Sequence, residues 1–212
     1  SYDDGIIFWD IGANIGLYSI YASVKHNNIN VFSFEPSTSN TRTLSRNISI
    51  NSLSHKIKIF PLALSEKKNT ISLFNETRFV EGGAISTFGK NLDQHGNSLK
   101  EEKIKNKYNI FGTNIDFLIE NNIIKIPNYI KIDVDGIEHL ILSGAKNLLK
   151  NKQLKELSVE LNPDFKNQYD AVHKVLNENN FERKIETNSK LFNNKNYKSK
   201  TNEKVNAIFQ RI

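Results

Sequence analysis

Three acidic side chains stand where an apolar run meets a turn: Asp10, Glu35 and Asp133. Asp10 follows Ile6-Ile7-Phe8-Trp9 and leads into Ile11-Gly12-Ala13-Asn14-Ile15-Gly16, a glycine-bearing turn that passes straight into a helical stretch. Gly12 lets the backbone approach a ligand closely, Gly16 permits close helix–strand packing, and the exposed N–H groups of a helix start suit a carboxylate or a phosphate. A dinucleotide fingerprint beginning at Gly12 needs glycines at 14 and 17, where Asn14 and Leu17 stand, so a pyrophosphate cradle is disfavoured. No Lys-Ser or Lys-Thr pair follows the turn, which excludes a P-loop. Glu35 ends the second apolar run, 23 residues after Gly12 and just before Pro36. An acid in that place accepts both hydroxyls of a ribose and repels a 2′-phosphate. Turn and acid together point to an adenosine-type ligand with an unphosphorylated ribose; a solvated Glu before a turn is the plain alternative.

These residues need a scaffold that gathers strand ends. From residue 6 to about 165, short apolar runs alternate with stretches of helical spacing, as in a parallel sheet covered by helices. Strands are expected at residues 6–11, 31–34, 57–60, 129–134 and 157–161, with an extra one at 71–74. Helices are expected from Gly16 to about Val24, through Leu44 and Ile48 with Ser37, Thr38 or Ser39 as the cap, and over 114–122. Two more follow: one continuous stripe of Ile137, Leu140, Ile141, Ala145, Leu148 and Leu149, and another through Val172, Val175 and Leu176. The last strands are expected at 181–186 and 205–209. Residues 82–108 and 188–203 read as loops, the second as a mobile hairpin. No repeat or linker divides the chain, so residues 1–212 read as a single domain.

Composition narrows the function classes. The chain is 38% hydrophobic and 25% charged, which supports a packed core and argues against wholesale disorder. Its apolar runs are too short to span a bilayer, and no basic-then-apolar leader opens it. The absence of Cys excludes disulfides, thiolate zinc sites and cysteine nucleophiles, and is compatible with the cytoplasm, the expected location. Met is absent too, and Ser1 stands just before the first strand, as expected of a domain from a longer chain, possibly fused to others. A net charge of +6 suits a polyanion, yet Arg, the residue of bidentate nucleic-acid contacts, numbers only 5 against 24 Lys. With 30 Asn and 26 Ile, residues that AT-rich codons specify, the bias reads more simply as drift and a solvated surface.

The run Phe8-Trp9-Asp10-Ile11-Gly12-Ala13-Asn14-Ile15-Gly16-Leu17-Tyr18 resembles the first motif of class I S-adenosylmethionine-dependent methyltransferases, in the form typical of the FkbM family. The resemblance continues through Phe34-Glu35-Pro36 with Asn40, Leu44 and Asn47-Ile48, and through Pro61-Leu62-Ala63-Leu64-Ser65. It returns in Lys131-Ile132-Asp133-Val134-Asp135-Gly136-Ile137-Glu138 with Gly144-Ala145, in Val159-Glu160-Leu161-Asn162, and in Asn206-Ala207-Ile208-Phe209. In the family the fourth-strand motif more often reads Asp-Val-Glu-Gly, so Asp135 is a shortened carboxylate. The resemblance implies a Rossmann-like, doubly wound α/β fold: a mostly parallel seven-stranded sheet whose last strand is antiparallel. It also implies S-adenosylmethionine as cofactor. Asp10, Gly12, Ala13, Asn14 and Gly16 would surround the methionine portion, with Asp10 near the ammonium group. Glu35, with Pro36 beside it, would hold the ribose hydroxyls, and Ala63 and Leu64 would lie along the adenine. Asp133 would face the sulfonium and the acceptor. Ser86 belongs to Gly82-Gly83-Ala84-Ile85-Ser86-Thr87, either a lid or cofactor contact or an ordinary surface turn.

Methyl transfer is an in-line displacement at a carbon activated by positive sulfur, so positioning supplies much of the rate. An alcohol acceptor holds its proton tightly, and a base that removes it in the transition state helps. Asp133 is the first candidate; His139, three residues beyond Gly136, is the rival, with a half-exposed helical His as the plain reading. Lys131 shares a strand face with Asp133 and can pair with a carboxylate or orient a hydroxyl. Glu160 and Asn162 end the fifth strand on the same edge, to bind a polar acceptor or to make structural hydrogen bonds. Asp133, Asp135, Glu138 and His139 are not expected to form a metal site, because the turn at Gly136 separates them; magnesium assistance stays open and a zinc site does not fit. The expected activity is O-methylation of a hydroxyl on a sugar, glycan precursor or related small molecule. The alternatives are an RNA or protein methyltransferase and a non-catalytic cofactor-binding module of a larger protein.

Overall fold

The structure, a computed structural model, describes residues 5–93, 95–184 and 204–212. In chain order the elements are β1 (Ile6–Ile11), α1 (Leu17–Lys25), β2 (Ile29–Phe34), α2 (Thr38–Ile50), β3 (Ile57–Phe60), β4 (Ala63–Leu64), β5 (Thr70–Glu76) and β6 (Ser86–Phe88). After a 3₁₀ turn at Glu101–Lys103 come β7 (Asn106–Thr113), α3 (Ile115–Glu120), β8 (Tyr129–Ile132), α4 (Glu138–Ser143), α5 (Lys146–Lys150), β9 (Glu156–Leu161), α6 (Lys166–Asn177), β10 (Phe181–Arg183) and β11 (Val205–Arg211). The main sheet has seven strands in the order β3-β2-β1-β8-β9-β11-β10, and β11 alone runs antiparallel to its neighbours. Strand order reverses between β1 and β8, so their carboxyl ends open a crevice for a ligand.

The central strands are apolar on both faces because helices cover both. Ile7, Trp9 and Ile11 face the larger core beneath α3–α6, and Ile6 and Phe8 face the smaller one beneath α1 and α2. Trp9 and Phe34 are almost fully buried and tilt against each other, with Phe60 stacked on Phe34. Burying side chains of that size stabilises the fold by roughly 1.5–3 kcal/mol each. Helix α1 inverts the usual pattern: Ser19 and Ser23 face inward, while Leu17, Tyr21 and Val24 are exposed. Ser37 caps α2 by accepting from the Asn40 N–H, and Leu44 and Ile48 anchor it. No helix among the described residues is long and apolar enough to cross a membrane.

Three expectations need correction. The stripe from Ile137 to Leu149 is two helices, broken at Gly144. A Cβ at Gly144 would lie 2.4 Å from the Ser65 carbonyl. The Asp116 carboxylate caps the second helix by accepting from Asn147 N–H and Leu148 N–H. Residues 82–108 are not one loop: β6 and the start of β7 lie within them. They join β4 and β5 in a second sheet of order β4-β7-β5-β6, with β5 antiparallel to β6 and β7. The run at 129–134 leaves the sheet after Ile132, so Asp133 and Val134 belong to the turn. The expected hairpin at 188–203 and the end of the strand at 181–186 lie outside the described residues.

Candidate active site

The crevice begins with the glycine turn. Gly12 and Ala13 both donate their N–H to the Phe34 carbonyl at 3.0 Å, locking the turn to the end of β2. Gly12 has φ 77°, and a Cβ there would meet the Asp133 carbonyl oxygen at 1.9 Å. The close approach that requires glycine is thus to the exit of β8. Gly16, at φ 95°, makes room for Leu44 of α2, where a Cβ would lie 2.5 Å from Cδ1, so helix meets helix there rather than helix and strand.

Glu35 is 5% exposed. Its Oε2 accepts from Asn14 N–H at 2.8 Å and its Oε1 from Ser37 N–H at 2.9 Å. Burial pushes the carboxyl up to about 7 against those hydrogen bonds. The Asn40 side chain also hydrogen-bonds the carboxyl, and two oxygens with about four acceptor sites still leave room for a further donor. Beside it, Asn14 Oδ1 is buried with no hydrogen-bond partner among the described residues.

These groups line one cleft that opens to solvent. Of the residues singled out in the sequence, Gly12, Asn14, Glu35, Pro36, Ala63, Leu64, Ser86 and Asp133 line it. Others stand behind it. Ala13 packs into the core with Val31 and Leu44, and Gly16 caps α1. Asp10 is fully buried and turned toward α1, where Ser19 Oγ donates to its Oδ2 at 2.6 Å. Asp10 does not line the cleft, and its Oδ1 has no hydrogen-bond partner among the described residues.

Asp10 acts through Lys131. In the sheet Asp10 pairs with Ser33 on one side and Lys131 on the other. Lys131 Nζ lies 3.6 Å from Asp10 Oδ1, 3.2 Å from Asp133 Oδ2, and 4.5 Å from the centre of the Tyr18 ring. Burial opposes the ammonium, but Asp10 and Asp133 outweigh it and hold Lys131 above its ordinary value. Burial likewise pushes Asp10 up, with Lys131 and Ser19 opposing. Lys131 does not line the cleft; it fixes Asp133, whose side chain is 31% exposed at the rim.

Beyond Asp133 the chain turns sharply. His139 points away from the cleft and sets its ring edge-on to Phe165, 5.9 Å between centroids. Desolvation holds it below its ordinary value. As the rival base it is misplaced, because α4 starts only after the Gly136 turn has rotated its face away. Glu138, fully buried, accepts from Val134 N–H, Gly136 N–H and Gln168 Nε2, and burial pushes it up to about 7 against those bonds. Asp135 accepts from Ile85 N–H at 2.6 Å. These side chains diverge, and no group of three metal-ligating side chains occurs among the described residues. Lys204 lies 2.7 Å from Glu160 and 3.5 Å from Asp135. Asn162 contacts His95 Nδ1 and accepts from Asp164 N–H.

Sequence reasoning missed part of the wall. Phe74 and Phe88 reach the cleft from the second sheet, Ile137 and Ile141 from the start of α4, and Asn40 and Asp135 from its rims. Asn40 was visible as a motif residue; the apolar pair was not, because the second sheet was not foreseen.

The family model described as Methyltransferase FkbM domain matches residues 10–183. Hexuronic acid methyltransferase AglP of Haloferax volcanii is 29% identical over 174 residues, 81% of this chain and 62% of that protein. Methyltransferase sdnD of Sordaria araneosa is 32% identical over 98 residues, 46% of this chain and 36% of that protein. The chain thus spans less than two thirds of the length of these relatives. Among solved structures, a methyltransferase FkbM from Methylobacillus flagellatus superposes with a TM-score of 0.58 at 15% identity, over 98% of this chain and 44% of that one. SMU.1697c of Streptococcus mutans, a putative methyltransferase in complex with SAH, gives 0.52 at 10% identity, over 99% and 90%. Matched across most of its length and folded as these proteins are, the chain belongs to the FkbM methyltransferase domain family.

Proposed function

We propose that this domain transfers a methyl group from S-adenosylmethionine to a hydroxyl of a sugar or related polyol. The observation that carries the reading is that Glu35 and Asp133, from strand ends on either side of β1, line one cleft whose walls include Ala63, Leu64, Phe74 and Phe88. The cofactor fits the groups present. Glu35 has lone pairs for the ribose hydroxyls, Asn14 Oδ1 is a buried acceptor in want of a donor, and Ala63, Leu64, Phe74 and Phe88 offer apolar surface for the adenine. When bound, S-adenosylmethionine supplies an electrophilic methyl carbon. Asp133 then orients the acceptor hydroxyl and takes its proton as the oxygen becomes bonded to carbon. Lys131 holds Asp133 in place, and Asp10, itself held by the Ser19 hydroxyl, holds Lys131.

The acceptor edge favours an uncharged sugar. Lys131 lies between Asp10 and Asp133, and Lys204 between Asp135 and Glu160, so both ammonium groups are already balanced by carboxylates. A uronate would add a further negative charge beside Asp133, at a cost of about 1 kcal/mol or more. The test is incubation with methyl-labelled S-adenosylmethionine and a panel of neutral hexosides, hexuronates, RNA and protein. The expected result is label in a neutral sugar with release of S-adenosylhomocysteine. Label confined to RNA or protein, or no transfer at all, overturns the reading.

A further inference from the structure

We propose that residues 82–85 are a strap across the mouth of the cofactor cleft, and that Asn40 and Asp135 are positioning residues that latch it at opposite banks. The proposal rests on the cofactor reading above. The strap connects β5 to β6 and crosses from the side of α2 to the side of β8. At the first bank the Asn40 carboxamide grips it twice: Oδ1 accepts from Gly82 N–H at 2.9 Å, and Nδ2 donates to the Gly83 carbonyl at 3.1 Å. Asn14 Nδ2 adds longer contacts to the Gly83 and Gly82 carbonyls, at 3.3 and 3.4 Å. At the second bank Asp135 Oδ2 accepts from Ile85 N–H at 2.6 Å. Gly83, Ala84 and all three anchoring side chains line the cleft.

The backbone of this arrangement is strained. Ile85 sits at φ 66°, where a β-branched residue is a steric outlier. Asn14 and Asp135, at φ 50° and 59°, occupy the same left-handed region, although their residue types tolerate it better. Side-chain hydrogen bonds at two banks therefore hold a segment that its own torsions disfavour. Such a segment has two accessible arrangements, latched and released, and a cofactor enclosed beneath it exchanges only in the second. Asp135 suits both demands: it accepts left-handed backbone and its short carboxylate reaches Ile85 N–H.

The test is the kinetics of S-adenosylhomocysteine binding to the immobilised protein. Wild type must bind; failure to bind contradicts the cofactor reading itself. If the strap gates exchange, Asp135→Ala and Asn40→Ala each raise the association rate by about tenfold, with the dissociation rate rising alongside it. Asp135→Asn, which keeps an oxygen for Ile85 N–H, shows a smaller change than Asp135→Ala. Faster dissociation with unchanged association marks these residues as ordinary cofactor contacts and overturns the strap, as do unchanged rates in both alanine variants. Should Asn40→Ala fail to fold, Asp135→Ala decides alone.

Discussion

On the bank built by β1, β2 and α2, the cleft presents one carboxylate, Glu35, among backbone amides and the carboxamides of Asn14 and Asn40. On the bank built by β8, β9 and β11, Asp133, Asp135 and Glu160 interleave with Lys131 and Lys204. The first bank holds its acid by neutral donors and keeps it buried. The second holds its acids by ammonium groups and leaves Asp133 at the rim. A group that must grip a diol gains from burial and fixed acceptors, whereas a group that must move a proton gains from being held at a fixed place beside the acceptor.

The largest effect expected separates scaffold from chemistry on the charged bank. Lys131→Met leaves the fully buried Asp10 without its counter-charge and Asp133 without its anchor. Breaking a buried pair in this way costs about 3–5 kcal/mol. Urea denaturation measures it, and adding Asp10→Asn to Lys131→Met should recover much of the loss. Asp133→Asn comes next: turnover falls by about 10²–10⁴-fold, the typical worth of a general base, while S-adenosylmethionine affinity by calorimetry stays within a few-fold. On the neutral bank the pattern reverses. Glu35→Ala weakens cofactor binding by about 10- to 100-fold, the worth of charge-assisted hydrogen bonds, and turnover at saturating cofactor is largely kept.

The smallest effect is a pH dependence that belongs to the neutral bank. Glu35 is held at about 7 in the folded protein by burial, and its ionised form is the better acceptor for ribose hydroxyls. Affinity therefore improves about tenfold from pH 6 to pH 8, as the competent fraction rises. Stability runs the other way. Burial lifts Glu35 and Glu138 above the ordinary glutamate value of 4.5 in the folded state, to about 7. Between those values the folded protein holds protons that the unfolded chain has released, so stability falls as pH rises through that window. Urea midpoints at pH 5 and pH 8 check the sign.

Much of this was legible in the sequence because main-sheet strands carry their own signal. A buried strand such as Ile6–Ile11 is apolar except for Asp10, and a glycine turn with an acid at its head marks where the next helix begins. The second sheet carries no such signal. In β7, Tyr108 and Ile110 alternate with exposed Lys107, Asn109 and Phe111, and the strand's pairing with β5 is long-range. Asp10 lies behind the cleft lining for a related reason. Its place at a strand end suggested ligand contact, but its in-register neighbour Lys131 turns it into a buried counter-ion, and register is not written in either strand alone. His139 failed because one turn after Gly136 decides which face of α4 meets the cleft.

A crystal structure of the protein with S-adenosylhomocysteine tests the central claim most directly. Both ribose hydroxyls are expected within hydrogen-bonding distance of Glu35, with the sulfur turned toward Asp133. A ligand bound away from the ends of β1 and β2, or a ribose that leaves Glu35 with only the Asn14 and Ser37 amides and the Asn40 side chain, would contradict it.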